Sequence, residues 1–121
     1  KLMQRAEFDN SFMFSYSPRP GTPASELEDN VPEKIKWERL QETIELQKSL
    51  TDKRGMYYVG QTVEVMIEDT TRRNKADFRG RTPHYWMAYL KGGKDGLKPG
   101  DRVKVLVEQT RGHSLIGVCQ N

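Results

Sequence analysis

The chain has 121 residues, with 20 basic and 17 acidic side chains, a net charge of +3, 35% hydrophobic residues and a mean hydropathy of −0.83. That length fits one domain, or one small domain with a piece of a larger one; the composition is polar for a single core, and no apolar run is long enough to cross a bilayer. A single cysteine, Cys119, excludes an intrachain disulfide and a metal centre of several thiolates, and it favours a cytoplasmic setting.

The charge is unevenly placed. Residues 1–53 carry 8 basic and 10 acidic side chains, whereas residues 54–121 carry 12 and 7, so the second half is the candidate polyanion binder. The chain starts at Lys1 with no basic-then-apolar leader, as expected of a piece of a longer polypeptide with an upstream part missing.

Residues 2–9 are too short to judge beyond the tail of a helix. Phe12-Met13-Phe14-Ser15-Tyr16 is apolar enough for a short strand buried on both faces, as parallel strands are. Ser17-Pro18-Arg19-Pro20-Gly21-Thr22-Pro23-Ala24 then interrupts any ladder, because its prolines cannot donate and its glycine permits positive φ. Two readings of Arg19, Pro20, Gly21 and Thr22 stay open: an active-site loop at the carboxyl end of a strand, or a plain connector.

Asn30-Val31-Pro32 opens a helix predicted to run to about Asp52, with Glu33 in the first turn where the backbone dipole favours negative charge. Trp37, Leu40, Ile44 and Gln47 form one stripe, and Trp37 is expected at the junction between the first segment and the second half of the chain. After Gly55 the period becomes two. Val63, Val65 and Ile67 share one face of a first strand, and Val103, Val105 and Val107 share one face of a second. With residues 79–90 between them and Ser114-Leu115-Ile116-Gly117-Val118 at the end, these short strands predict a small antiparallel barrel, partly covered by the helix. The fold class is therefore α+β.

The chemistry concentrates between the two valine strands. Arg72, Arg73 and Lys75 lead into Arg79 and Arg81, five cations that would neutralise phosphates and release counterions. Tyr85, Trp86 and Tyr89 come next. Alternation puts Tyr85, Met87 and Tyr89 on one face and Trp86, Ala88 and Leu90 on the other; one set must be core, and the pattern does not choose. Tyr85 and Trp86 are thus candidates for base stacking. His84 and His113 lack the spacing of a metal site, Gly92-Gly93-Lys94-Asp95-Gly96 has no Ser or Thr after its lysine and reads as a turn, and Cys119 reads as a small buried thiol.

Phe8-Asp9-Asn10, Phe12-Met13-Phe14, Tyr16 through Ala24 with its Pro-Arg-Pro-Gly-Thr-Pro loop, and Val31-Pro32-Glu33 resemble the end of the catalytic barrel in radical-SAM methylthiotransferases. Gly60-Gln61-Thr62-Val63-Glu64-Val65, Gly80-Arg81-Thr82, Gly100-Asp101 and Ser114-Leu115-Ile116-Gly117 resemble their C-terminal TRAM domain, an OB-like RNA-binding barrel. The loop is more similar to the branch that modifies tRNA than to the branch that modifies a ribosomal protein. The resemblance implies that residues 1–53 end a radical-SAM barrel with its linking helix and that residues 54–121 form the TRAM barrel. It implies a parent enzyme that adds a methylthio group to N6-dimethylallyladenosine beside the tRNA anticodon, using S-adenosylmethionine and two 4Fe-4S clusters. Arg81 and Thr82 match the family pattern as RNA contacts, whereas Pro83-His84-Tyr85-Trp86 depart from it. This chain lacks the Cys-x3-Cys-x2-Cys set, so it is expected to bind neither cofactor and to be inactive without the N-terminal catalytic domains of the same polypeptide. A ribosomal-protein methylthiotransferase and a non-enzymatic OB-like RNA-binding module are the alternatives.

Overall fold

Five strands close on themselves in the order β1-β2-β3-β5-β4. In this computed structural model, which describes residues 1–71, 77–92 and 96–120, they are β1 (Thr62–Thr70), β2 (Phe78–Arg81), β3 (Met87–Lys91), β4 (Arg102–Thr110) and β5 (Ser114–Gln120). Ahead of them lie α1 (Leu2–Ala6), a 3-10 turn (Pro23–Glu26) and α2 (Glu33–Met56).

The period-two pattern places the core. Val65 and Ile67 of β1, Ala88 and Leu90 of β3, Val105 and Val107 of β4, and Leu115 of β5 are sealed inside, together with Trp86. Closure removes the exposed ladder edges that an open sheet of this size would carry. Two bulges bend the long strands around it, one in β1 between Ile67 and Asp69 and one in β4 between Val107 and Gln109. Where walls approach most closely the inward residue is glycine. A Cβ on Gly80 would collide with the Met66 carbonyl and stand 2.7 Å from Val65 Cγ1, and one on Gly117 would collide with the Leu106 carbonyl.

The barrel is not wholly antiparallel as expected. β3 and β5 run parallel, pairing Ala88 with Leu115, Tyr89 with Ile116 and Leu90 with Gly117. They can do so because β4 intervenes in sequence, returning the chain to the far end before β5 begins.

The helix α2 starts at Glu33, close to expectation, but continues to Met56. Lys53 and Arg54 suit the negative end of its dipole, and Gly55 fits against Thr110 of β4, 3.2 Å from a notional Cβ to Thr110 Cγ2. Its buried residues, Gln47, Leu50, Thr51 and Gly55, all lie in the carboxyl half. Trp37, expected at the junction, is 61% exposed, because the barrel touches the helix further along. The predicted strand at residues 12–16 does not form. A strand needs a ladder partner, and among the described residues this segment pairs with none, leaving Phe12 and Phe14 bare.

Candidate nucleic-acid interface

β2 and β3 are joined by a tight turn that fixes what each nearby side chain can do. Tyr85 N–H donates to the Thr82 carbonyl at 2.9 Å, Thr82 N–H to the Trp86 carbonyl at 3.0 Å, and Trp86 N–H to Thr82 Oγ1 at 3.1 Å. The RNA contact expected of Thr82 is thereby corrected: its side chain is buried and its hydroxyl closes the turn. The stacking role considered for Trp86 is corrected too. Its indole is fully buried as a plug in the barrel end, packed on Tyr58 at 5.4 Å and on His113 at 4.2 Å between ring centroids.

The indole N–H of Trp86 donates to Asp9 Oδ2 at 3.0 Å, and Arg54 Nε donates to Asp9 Oδ1 at 2.9 Å. Gln47 Nε2 reaches the Phe8 carbonyl at 2.9 Å and Thr51 Oγ1 the Asp9 carbonyl at 2.8 Å, while Lys53 pairs with Glu7. Burial alone would raise the Asp9 carboxyl, but the bonds from Trp86 and Arg54 outweigh it and hold the group below its ordinary value. His113, mainly desolvated beside the indole, is pushed down.

Outside the core, Tyr85 and Tyr89 stay in solvent, which answers the question that alternation left open. They stand in different surroundings. Tyr85 takes a left-handed backbone, φ 67°, and one face of its ring lies under the Arg81 guanidinium at 4.4 Å. Arg81 is committed further, since its Nε donates to Glu68 at 3.1 Å and its Nη1 to the Tyr85 carbonyl at 3.4 Å. Across the same shallow groove, Arg102 pairs with Glu64 at 3.6 Å. Each described arginine there has its own carboxylate.

Tyr89 sits instead in a second cleft of about 560 Å³ with Arg79, Lys91, Arg111 and Ile116. The register builds it: Arg79 of β2 lies directly across from Tyr89, and Ile116 of β5 flanks Tyr89 on the other side. Arg79 is held loosely, with Nη2 3.7 Å from Asp69, and its Nε is buried with no acceptor among the described residues. Arg72, Arg73 and Lys75, the remaining expected RNA contacts, lie outside the described residues, as do residues 93–95 of the glycine turn. Lys91 and Arg111 were not singled out by the sequence, which weighed Tyr89 only through the face it shares with Tyr85 and Met87. The parallel β3–β5 pairing sets Ile116 beside Tyr89, and the β4–β5 turn adds Arg111 to the same cleft; no local pattern carries that signal.

The loop at Arg19, Pro20, Gly21 and Thr22 is largely exposed. Thr22 Oγ1 donates to the Arg19 carbonyl at 2.8 Å, and Ser25 Oγ to the Thr22 carbonyl at 2.7 Å, so the loop is a self-bonded turn entering the 3-10 segment. An iron-sulfur cluster does not fit this chain: Cys119, its one cysteine, is half-buried in β5, and a cluster needs several thiolates. Among the described residues no group of histidine, cysteine and carboxylate side chains could hold a metal ion, and no helix is long and apolar enough to cross a membrane.

A closed five-stranded barrel with cations and bare tyrosine rings on its outer wall is the class of small OB-like nucleic-acid-binding domain. The TRAM domain model matches residues 57–119, just over half of the sequence, and the chain belongs to the TRAM domain family. Its similarity also reaches back through α2 to the amino-terminal segment. It is 41% identical over 117 residues to tRNA-2-methylthio-N(6)-dimethylallyladenosine synthase of Bacillus velezensis, covering 97% of this chain and 23% of that protein. The same enzyme of Treponema pallidum is 40% identical over 114 residues, 94% of this chain and 25% of the relative. That of Chlorobium phaeovibrioides is 41% identical over 120 residues, 98% and 26%. The chain spans about a quarter of the length of these curated relatives.

Proposed function

We propose that this chain is the tRNA-gripping part of a cytoplasmic radical-SAM methylthiotransferase that adds a methylthio group to N6-dimethylallyladenosine next to the anticodon. Residues 1–53 would end the catalytic barrel and residues 54–121 hold the RNA. The observation that carries the reading is the outer wall of β2 and β3: the buried core is built without Arg79, Arg81, Tyr85 and Tyr89, which sets two exposed tyrosine rings beside two half-buried arginines on one surface. Arg72, Arg73 and Lys75 extend that basic stretch in sequence. Similarity to the named synthases over nearly the whole chain supports tRNA as the polyanion.

The chemistry would belong to the rest of the polypeptide, where S-adenosylmethionine and two 4Fe-4S clusters are expected. Arg19, Pro20, Gly21 and Thr22 would then approach that catalytic site from the rim. The test is tRNA binding by this chain at low and moderate salt, beside a variant with Arg72, Arg73 and Arg81 changed to Ala. We expect salt-dependent binding that the triple variant loses by roughly a hundredfold or more at moderate salt, with a shallower salt slope. A wild type that ignores tRNA, or a variant that binds as well, overturns the reading.

A further inference from the structure

We infer that the cleft of β2, β3 and the β4–β5 turn is a seat for one unpaired RNA nucleotide, its base lying on Tyr89 and its phosphate held between Arg79 and Arg111. The inference rests on the RNA-binding reading and goes further by naming the site and the state of the nucleotide.

Three features select this cleft over the groove at Tyr85. The first is charge. Arg79, Lys91 and Arg111 line the cleft with one carboxylate, Asp77, whose Oδ1 accepts from Gly92 N–H at 3.1 Å, so the cations outnumber it. Arg111 and Lys91 have no ion-pair partner among the described residues, whereas Arg81 and Arg102 each have one. The second is the ring. Tyr89 has no cation over its face among the described residues, while Arg81 covers one face of Tyr85. Stacking on a base needs that free face, and a base inside a duplex cannot offer its own. The third is shape. Ile116 beside Tyr89 gives an apolar floor, and about 560 Å³ lies within the range of small-ligand sites. Arg79 adds a desolvated Nε with no acceptor and only a loose hold on Asp69, so its guanidinium can turn to an incoming phosphate at little cost.

The test compares binding of a fluorescent anticodon stem-loop RNA with binding of the same strand closed into a continuous duplex, using the whole 121-residue chain. The variants are Tyr89→Ala, Tyr89→Phe, Arg111→Ala and, as a control for general charge, Lys104→Ala on the opposite wall. Tyr89→Ala should weaken the stem-loop about tenfold and the duplex little, and Tyr89→Phe should restore stem-loop binding. Arg111→Ala should lower the log-log salt slope by ~0.7, more than Lys104→Ala does. If the wild type binds the stem-loop while Tyr89→Ala and Arg111→Ala match it, the nucleotide seat is overturned and the RNA-binding reading stands. If the wild type binds neither RNA, both fall. If polyglutamate of equal charge displaces the stem-loop as well as RNA does, the cleft is a general anion site and the inference is overturned.

Discussion

Aromatic side chains meet opposite fates in the two halves of this chain. In the barrel, Trp86 is fully buried, bonded through its indole N–H and packed on two rings. Ahead of α2, Phe12, Phe14 and Tyr16 are 85%, 84% and 57% exposed, although as residue types they are as apolar. The barrel closes its own ladder and so can seal a core. The leading segment has apolar residues and no ladder, and it is held to the rest by polar bonds at Glu7, Phe8, Asp9 and Ser11, the last bonding Gln47 at 2.8 Å. Stability should therefore reside almost wholly in the second half, with Asp9 as the fastening between the two.

The sharpest way to break this contrast is Trp86→Ala. Removing a large buried aromatic costs about 3–5 kcal/mol, a large fraction of what a barrel this small can have. Asp9 also loses a donor. Urea unfolding followed by circular dichroism should show the midpoint collapse; a loss below about 1 kcal/mol would mean that the plug is dispensable and the core lies elsewhere.

The fastening gives a smaller, pH-dependent effect. The Asp9 carboxyl is depressed in the folded chain, so its contribution is present above the ordinary carboxylate value of 3.8 and is lost as pH falls through its lower folded value. His113 is depressed as well, mainly by burial, with Asp9 opposing and Arg81 reinforcing. The unfolded chain then binds the proton first, so stability declines as pH drops below 6.5 and levels off beneath the folded value. Denaturant midpoints between pH 7.5 and 5 should fall for the wild type and be flatter for His113→Phe, while Asp9→Asn should remove the separate loss at lower pH. Identical profiles for all three would separate these groups from stability.

Much of the barrel was legible because its signal is local. Val63, Val65 and Ile67 and their counterparts Val103, Val105 and Val107 alternate within single strands, and alternation is a two-residue property that survives any tertiary arrangement. What was not legible depends on partners distant in sequence. Whether Tyr85 or Trp86 turned inward was decided by the Thr82 hydroxyl and the left-handed φ at Tyr85, and by Asp9, 77 residues away from Trp86. The parallel pairing of β3 with β5 likewise sets Ile116 beside Tyr89, and the turn before β5 puts Arg111 on the same cleft, without leaving a trace in either segment. Phe12 to Tyr16 misled for the complementary reason: their composition suits a strand, but a strand is made by its neighbours.

That segment supplies the smallest expected effect and the cleanest control. Phe12→Ser with Phe14→Ser alters two rings that are already in water and bonded to nothing among the described residues, so the unfolding free energy of this chain should change by no more than ~0.5 kcal/mol. Solubility should rise, because a contiguous exposed apolar stretch favours self-association, and light scattering at raised concentration measures that directly. A loss of about 2 kcal/mol or more, on the scale of burying such rings, would show that the segment packs in solution and would erase the contrast with Trp86. In the proposed function the same rings would face the remainder of the catalytic barrel, so the double variant should be silent here and harmful in the whole enzyme. The difference between those two backgrounds, measured as stability in each, separates an apolar stretch awaiting its own polypeptide from one that is merely solvated.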